Sequence, residues 1–402
     1  MNNLNEQIIH SNSQINQKTK SCFDFFEENL NKKLLSHSTK ITQEIAHSAL
    51  EAIKSKNLQK LYEISENGIP DDLPILRAYI WKIILGYLPI DPKQWDSELS
   101  QKRDDYEKIK KLIKEKLKKE INKKEYKSKE TLEQIIKDVY RTNSQLSFFF
   151  QPTDKLKTFN KEEILNIYQK RKNWDFSNID DIYKYDNLEN ETHADVLSRI
   201  LFTYSCIIQD VSYHQGMNEL LAPIYYCYSY DKLYIEEKEV DIEADSFWSF
   251  YLLMNSIKTN FNAEQEGLFY KSDILGKCLE IVDNNIFLTL KNKNVVNEYF
   301  CFRWFIMLFS QDFDIGDVLR LWDLLFCHKN KNYFVFYICL GIIVLKKDIV
   351  LKGGMAEILQ AFQTLDDVLC DDLIFFAKEI KNKWKNKLEK IIAESEKEVI
   401  YI

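Results

Sequence analysis

Residues 193–221 read HADVLSRILFTYSCIIQDVSYHQGMNELL. Apolar side chains recur at helical spacing as far as Asp210 and resume at Met217, with a short polar break between. The break holds a glycine and a glutamine, so this stretch reads as two core helices joined by a turn. The same texture continues in EADSFWSFYLLMNSI (243–257), NEYFCFRWFIMLFSQDF (297–313), DVLRLWDLLF (317–326) and YFVFYICLGIIVL (333–345). The 402 residues include only 9 glycines and 6 prolines, too little turn punctuation for a large sandwich or an α/β enzyme. An all-α fold in two helical lobes, with polar insertions and no fixed-period repeat, is the expectation.

Working outward, residues 1–20 are rich in Asn, Gln and Ser and are expected to be disordered. A helical extension is predicted over 21–65, a main domain over 66–385 and a helical tail over 386–402. The main domain opens with GIPDDLPILRAYIWKIILGYLPIDPKQW (68–95). There Leu76, Ile80, Ile83, Ile84 and Tyr87 share a face, and prolines 70, 74, 89 and 92 punctuate both ends. Polar insertions are expected at about 103–130, dense in Lys and Glu, and at 151–191. The first reads as a solvated helix or flexible insert.

Composition narrows the function. A net charge of −7 argues against a nucleic-acid polyelectrolyte. The eight cysteines form no C-x-x-C pair and sit among apolar neighbours, which suggests buried thiols in a cytosolic protein. No metal-ligand spacing, phosphate-binding glycine loop or G-x-S-x-G elbow occurs. The first residues lack the basic start and apolar core of a signal peptide. The apolar run 333–345 is shorter than a bilayer span. These features predict a soluble cytoplasmic protein with no evident phosphate cradle or metal site of its own.

Two polar side chains stand out. In TLEQIIKDVYRTNS (131–144), Leu132, Ile135, Ile136 and Val139 form a core-facing stripe. At about 100° per residue, Arg141 points away from that stripe, and Asp138 falls about 60° from Arg141 on the same outer side. A carboxylate one turn back can steady the guanidinium. By pattern alone, these residues read first as an ordinary surface Asp–Arg pair. In the second segment, Gln215 sits at the break between helices, where a carboxamide offers a donor and an acceptor and can orient a water. Gly216, lacking a Cβ, leaves room for a close approach. An interhelical turn whose glutamine bonds local backbone fits the same residues.

Taken together, Ile135-x-x-Asp138-x-x-Arg141-Thr142 followed by Tyr213-x-Gln215-Gly216-Met217 resembles the paired signatures of TBC-domain proteins, GTPase-activating proteins for Rab GTPases. Arg77 and Trp81, Arg303 and Trp304, and Arg320, Trp322 and Asp323 resemble further motifs of that family in the same order. The long polar insertion between the two signatures most resembles the TBC1 domain family member 13 subgroup. The resemblance implies that Arg141 and Gln215 enter the nucleotide site of a GTP-loaded Rab as catalytic fingers. Asp138, Tyr213 and Gly216 support them, and the partner supplies GTP and magnesium. It implies a role in vesicle trafficking at endomembranes reached through the Rab. The alternative is a non-catalytic effector or scaffold that binds GTP-loaded Rab without speeding hydrolysis.

Overall fold

The computed structural model describes residues 20–122, 127–142, 147–154, 157–172, 190–208, 213–229, 239–261, 266–328 and 332–399. The disorder expected at the N-terminus falls almost wholly outside them, as do residues 155–156 and 173–189 of the second insertion. Eighteen helices and no strand occur among the described residues. They are α1 Cys22–His37, α2 Lys40–Lys54, α3 Leu58–Asn67, α4 Pro74–Ile84, α5 Trp95–Asn122, α6 Lys127–Val139, α7 Lys161–Lys172, α8 His193–Ile207 and α9 Met217–Ser229. There follow α10 Glu239–Ile257, α11 Glu266–Val282, α12 Asn284–Asn292, α13 Glu298–Met307, α14 Ile315–Phe326, α15 Asn332–Leu345, α16 Lys347–Lys352, α17 Met355–Gln363 and α18 Cys370–Val399. None is long and apolar enough to cross a membrane.

Local chemistry sets these elements. Thr192 caps α8 through its hydroxyl while the Asp195 side chain returns to the Thr192 N–H at 3.0 Å, a reciprocal capping box. Arg171 on α7 grips the same Asp195 carboxylate at 2.8 and 3.1 Å, tying the described part of the second insertion to the core. The apolar stretch 333–345 forms α15, which packs along α18. That last helix runs unbroken across residue 385, where the sequence pattern placed the end of the main domain.

The Lys- and Glu-rich stretch is not simply a solvated insert. It belongs to α5, whose Leu99, Tyr106, Ile113 and Leu117 are buried in the core. The dense charge of the other positions masks this stripe in the sequence. The buried side chains form one continuous apolar core. Within it α1–α10 and α11–α18 form two packed sets, joined where α9 meets α13 and α14, and where α14 meets α3 and α4.

Buried charges lock this seam. Asp323 on α14 has no exposed surface and accepts from Arg77 Nε at 3.2 Å, Arg77 Nη2 at 3.1 Å, Trp81 Nε1 at 2.8 Å and the Ile69 N–H at 3.2 Å. Ser65 donates to the Asp323 carbonyl at 2.7 Å. Away from the seam, within α1–α10, a second node gathers Lys82 (2.8 Å) and Arg103 (2.9 Å) on Asp245 of α10. A third pairs Arg199 with Glu243, where Tyr106 also donates at 2.7 Å. Arg77, Trp81, Trp322 and Asp323 are thus framework residues. Such pairs add little net stability over apolar packing, but removing one partner strands a buried charge. Asp323→Ala is expected to lose about 3–5 kcal/mol in urea unfolding, whereas Asp71→Ala, which removes the exposed partner of Arg77, costs less than about 1 kcal/mol. Equal losses would contradict the seam account.

Candidate functional site

α6 buries Leu132, Ile135, Ile136 and Val139 against the core and packs on α8 and α9. It ends at Val139 with a tight turn, in which the Arg141 N–H donates to the Asp138 carbonyl and the Thr142 N–H to the Val139 carbonyl, both at 3.0 Å. Thr142 is fully buried and Arg141 is exposed.

Asp138 departs from the expectation. It is buried, and its carboxylate accepts from Gln134 Nε2 and from the Tyr213 hydroxyl, each at 2.9 Å. No carboxylate among the described residues lies within ion-pair distance of Arg141. The surface Asp–Arg pair is therefore not formed, because the carboxylate is turned inward and taken by the other segment. Asp138 fixes the backbone from which Arg141 projects and leaves the guanidinium uncompensated.

The second segment turns sharply. The Met217 N–H donates to the His214 carbonyl at 3.1 Å, and Gln215 is exposed at the apex. Gly216 has φ +102°, a region that L side chains rarely adopt. A Cβ built there would lie 2.0 Å from Met307 Cε. The close approach expected at Gly216 is thus made from within, by the end of α13. Met307 precedes two left-handed residues, Leu308 (φ 48°) and Phe309 (φ 65°), and the Trp322 indole N–H holds the Leu308 carbonyl at 2.9 Å. Such backbone is costly for non-glycine residues and persists where the surroundings impose it.

The structure brings the two segments together across 75 residues of sequence. Besides the Tyr213–Asp138 bond, the Asn218 amide donates to Thr142 Oγ1 at 2.7 Å and lies 3.3 Å from the Asp138 carbonyl. Burial first, then the Asp138 charge, push the Tyr213 phenol well above its ordinary range, so it remains a donor. Arg141 and Gln215 therefore project from backbone segments pinned to each other.

Arg141 also lines a groove of about 770 Å³ at the seam, together with Glu219, the segment 310–315 and the turn before α18. Glu219 is 8% exposed, and its carboxyl is pushed up to about 7 by burial and by the Asp138 charge, with the Asn218 amide opposing. Pattern reading missed Asn218 and Glu219, and marked Thr142 only as part of the signature at the helix end. In sequence they look like ordinary residues of a helix end and a first helical turn, and only the fold shows their burial between the fingers' supports. No group of metal-ligating side chains occurs among the described residues.

A family model described as the Rab-GTPase-TBC domain matches residues 157–351. Over these residues the chain is similar to a TBC domain. The match includes Gln215 and begins after Arg141, whose neighbours Asp138 and Thr142 bond the glutamine segment. Among relatives, TBC1 domain family member 13 of Homo sapiens is 29% identical over 81% of this chain and 94% of its own length. The GTPase-activating protein GYP1 of Saccharomyces cerevisiae is 25% identical over 66% of this chain and 37% of its own. In structure, the chain resembles the crystal structure of the Ypt/Rab-GAP domain of Gyp1p with a TM-score of 0.62 at 22% identity, over 88% of this chain and 97% of that one. That likeness supports the all-α TBC fold.

Glu219 makes stability depend on pH. Its folded pKa lies above the unfolded carboxyl value of 4.5, so between these values the native state holds a proton the unfolded chain has released. Rising pH through this window therefore removes stability, and above about 7 the full cost is present. Glu219→Gln should gain on the parent by roughly 2 kcal/mol between pH 5.5 and pH 8, read by urea unfolding. A constant difference at the two pH values would contradict this.

Proposed function

We propose that this protein is a GTPase-activating protein for a Rab-family small GTPase. It inserts Arg141 and Gln215 into the nucleotide site of the GTP-loaded partner. The observation that carries the reading is an exposed arginine with no acidic partner among the described residues, on a helix end pinned to the turn that presents an exposed glutamine. The names of the relatives as GTPase activators point the same way.

The geometry suits the chemistry. GTP hydrolysis needs charge stabilisation and an aligned water more than covalent help from protein. An unpaired guanidinium can meet the charge that builds on the phosphoryl oxygens, and its planar fork of donors has no lysine equivalent. Gln215 presents a carboxamide that can bond an attacking water. Asp138 and Tyr213 hold the two mounts, and Gly216 allows the turn between them. GTP and magnesium come with the partner. On this reading the protein works in the cytoplasm, peripherally on endomembranes through its Rab, in vesicle trafficking.

Single-turnover GTP hydrolysis across a panel of Rab GTPases tests this. The parent should accelerate at least one, and Arg141→Ala should lose about 10³-fold or more on that partner. Arg141→Lys should not restore it. Because Arg141 is exposed and unpaired, Arg141→Ala should leave unfolding stability within about 0.5 kcal/mol. Binding of GTP-loaded Rab with no acceleration of any would favour the effector reading.

A further inference from the structure

We propose that Asn218 is a positioning residue that fixes Gln215 and Arg141 relative to each other. The inference rests on the GTPase-activating reading and names a group that the two-finger description does not include.

Asn218 is the second residue of α9 and is 4% exposed. Its Oδ1 accepts from the Gly216 N–H at 3.2 Å, next to Gln215. Its Nδ2 donates to Thr142 Oγ1 at 2.7 Å, next to Arg141, and lies 3.3 Å from the Asp138 carbonyl and 3.2 Å from Glu219 Oε1. One planar amide therefore uses its acceptor end on the glutamine turn and its donor end on the arginine turn. The orientation is forced. Rotating the amide would set NH₂ against the Gly216 N–H and an oxygen against two other oxygens.

No other short side chain serves both ends. Aspartate offers acceptors only and would place charge beside Asp138 and Glu219. Alanine leaves the Gly216 N–H and the Thr142 hydroxyl without this partner. The remaining link, Tyr213 to Asp138, lies two residues before Gln215 and three before Arg141. Without Asn218, the turn loses its amide link to the arginine segment and can shift relative to it. Finger catalysis depends on placement, and a displacement of about 1 Å can cost about 10²-fold in rate.

Three variants test this: Asn218→Ala, Thr142→Val and Thr142→Ser. They are read by kcat and KM on the Rab that the parent accelerates most, and by amide hydrogen exchange of residues 213–217 in the free protein. Asn218→Ala and Thr142→Val should each lower kcat by about 10²-fold with little change in KM. Thr142→Ser, which keeps the hydroxyl, should recover most of what Thr142→Val loses. Exchange in Asn218→Ala should rise at 213–217 and remain protected along the rest of α9. In a Gln215→Ala background the Asn218→Ala loss should shrink, because the group it positions is gone. The proposal is overturned if kcat is retained, if the losses multiply independently, or if exchange rises across all of α9 with KM and kcat failing together. If the parent accelerates no Rab, the activating reading falls. Unchanged exchange at 213–217 would then separately overturn the pinning by Asn218.

Discussion

The site depends on where the Asp138 carboxylate goes. A carboxylate one turn before an arginine on a helix ordinarily pairs with it. Here it is buried and taken up by Gln134 and Tyr213. That choice joins the end of α6 to the turn before α9, and it leaves the guanidinium of Arg141 without an ion-pair partner among the described residues. An arginine satisfied within its own chain would have to break an ion pair before serving another protein. Arg141 does not.

The mount is rigid because the surrounding framework is. α9 is buried along nearly its whole length, in contact with α4, α6, α8, α10, α13 and α14. Gly216 must accept Met307 at close range, and the left-handed turn after Met307 is held by the indole of Trp322. Trp322 neighbours Asp323, which binds Arg77 and Trp81 from α4. A continuous set of contacts thus runs from the α4–α14 node to the glutamine turn. Arg303, by contrast, ties Asp312 to the α17 end, and the Trp304 indole N–H has no hydrogen-bond partner among the described residues.

Much of this was legible in the sequence. Apolar spacing and scarce glycine and proline indicated an all-helical chain, and the break before Met217 fell where α9 begins. Arg141 and Gln215 stood out as polar residues at helix ends, and both are exposed. What failed was side-chain partnership over long separations. Asp138 looked like a surface residue because periodicity measures only its own helix, whereas its partner Tyr213 arrives from a segment 75 residues away. The α5 stripe was hidden because lysine and glutamate dominate composition while only one face packs. Gly216 was rightly marked as a place of close approach, but pattern could not show that Met307 fills it.

The central claim is that Arg141 acts on the transition state and contributes little to ground-state docking. Transition-state mimics isolate that difference, since they bind in proportion to interactions formed only there. The direct measurement is complex formation with a Rab loaded with GDP and aluminium fluoride, by size-exclusion chromatography or calorimetry. Parent protein should form a stable complex with the Rab that it activates, and Arg141→Ala should lose it while remaining folded. An Arg141→Ala variant that binds the mimic as tightly as the parent would contradict the account.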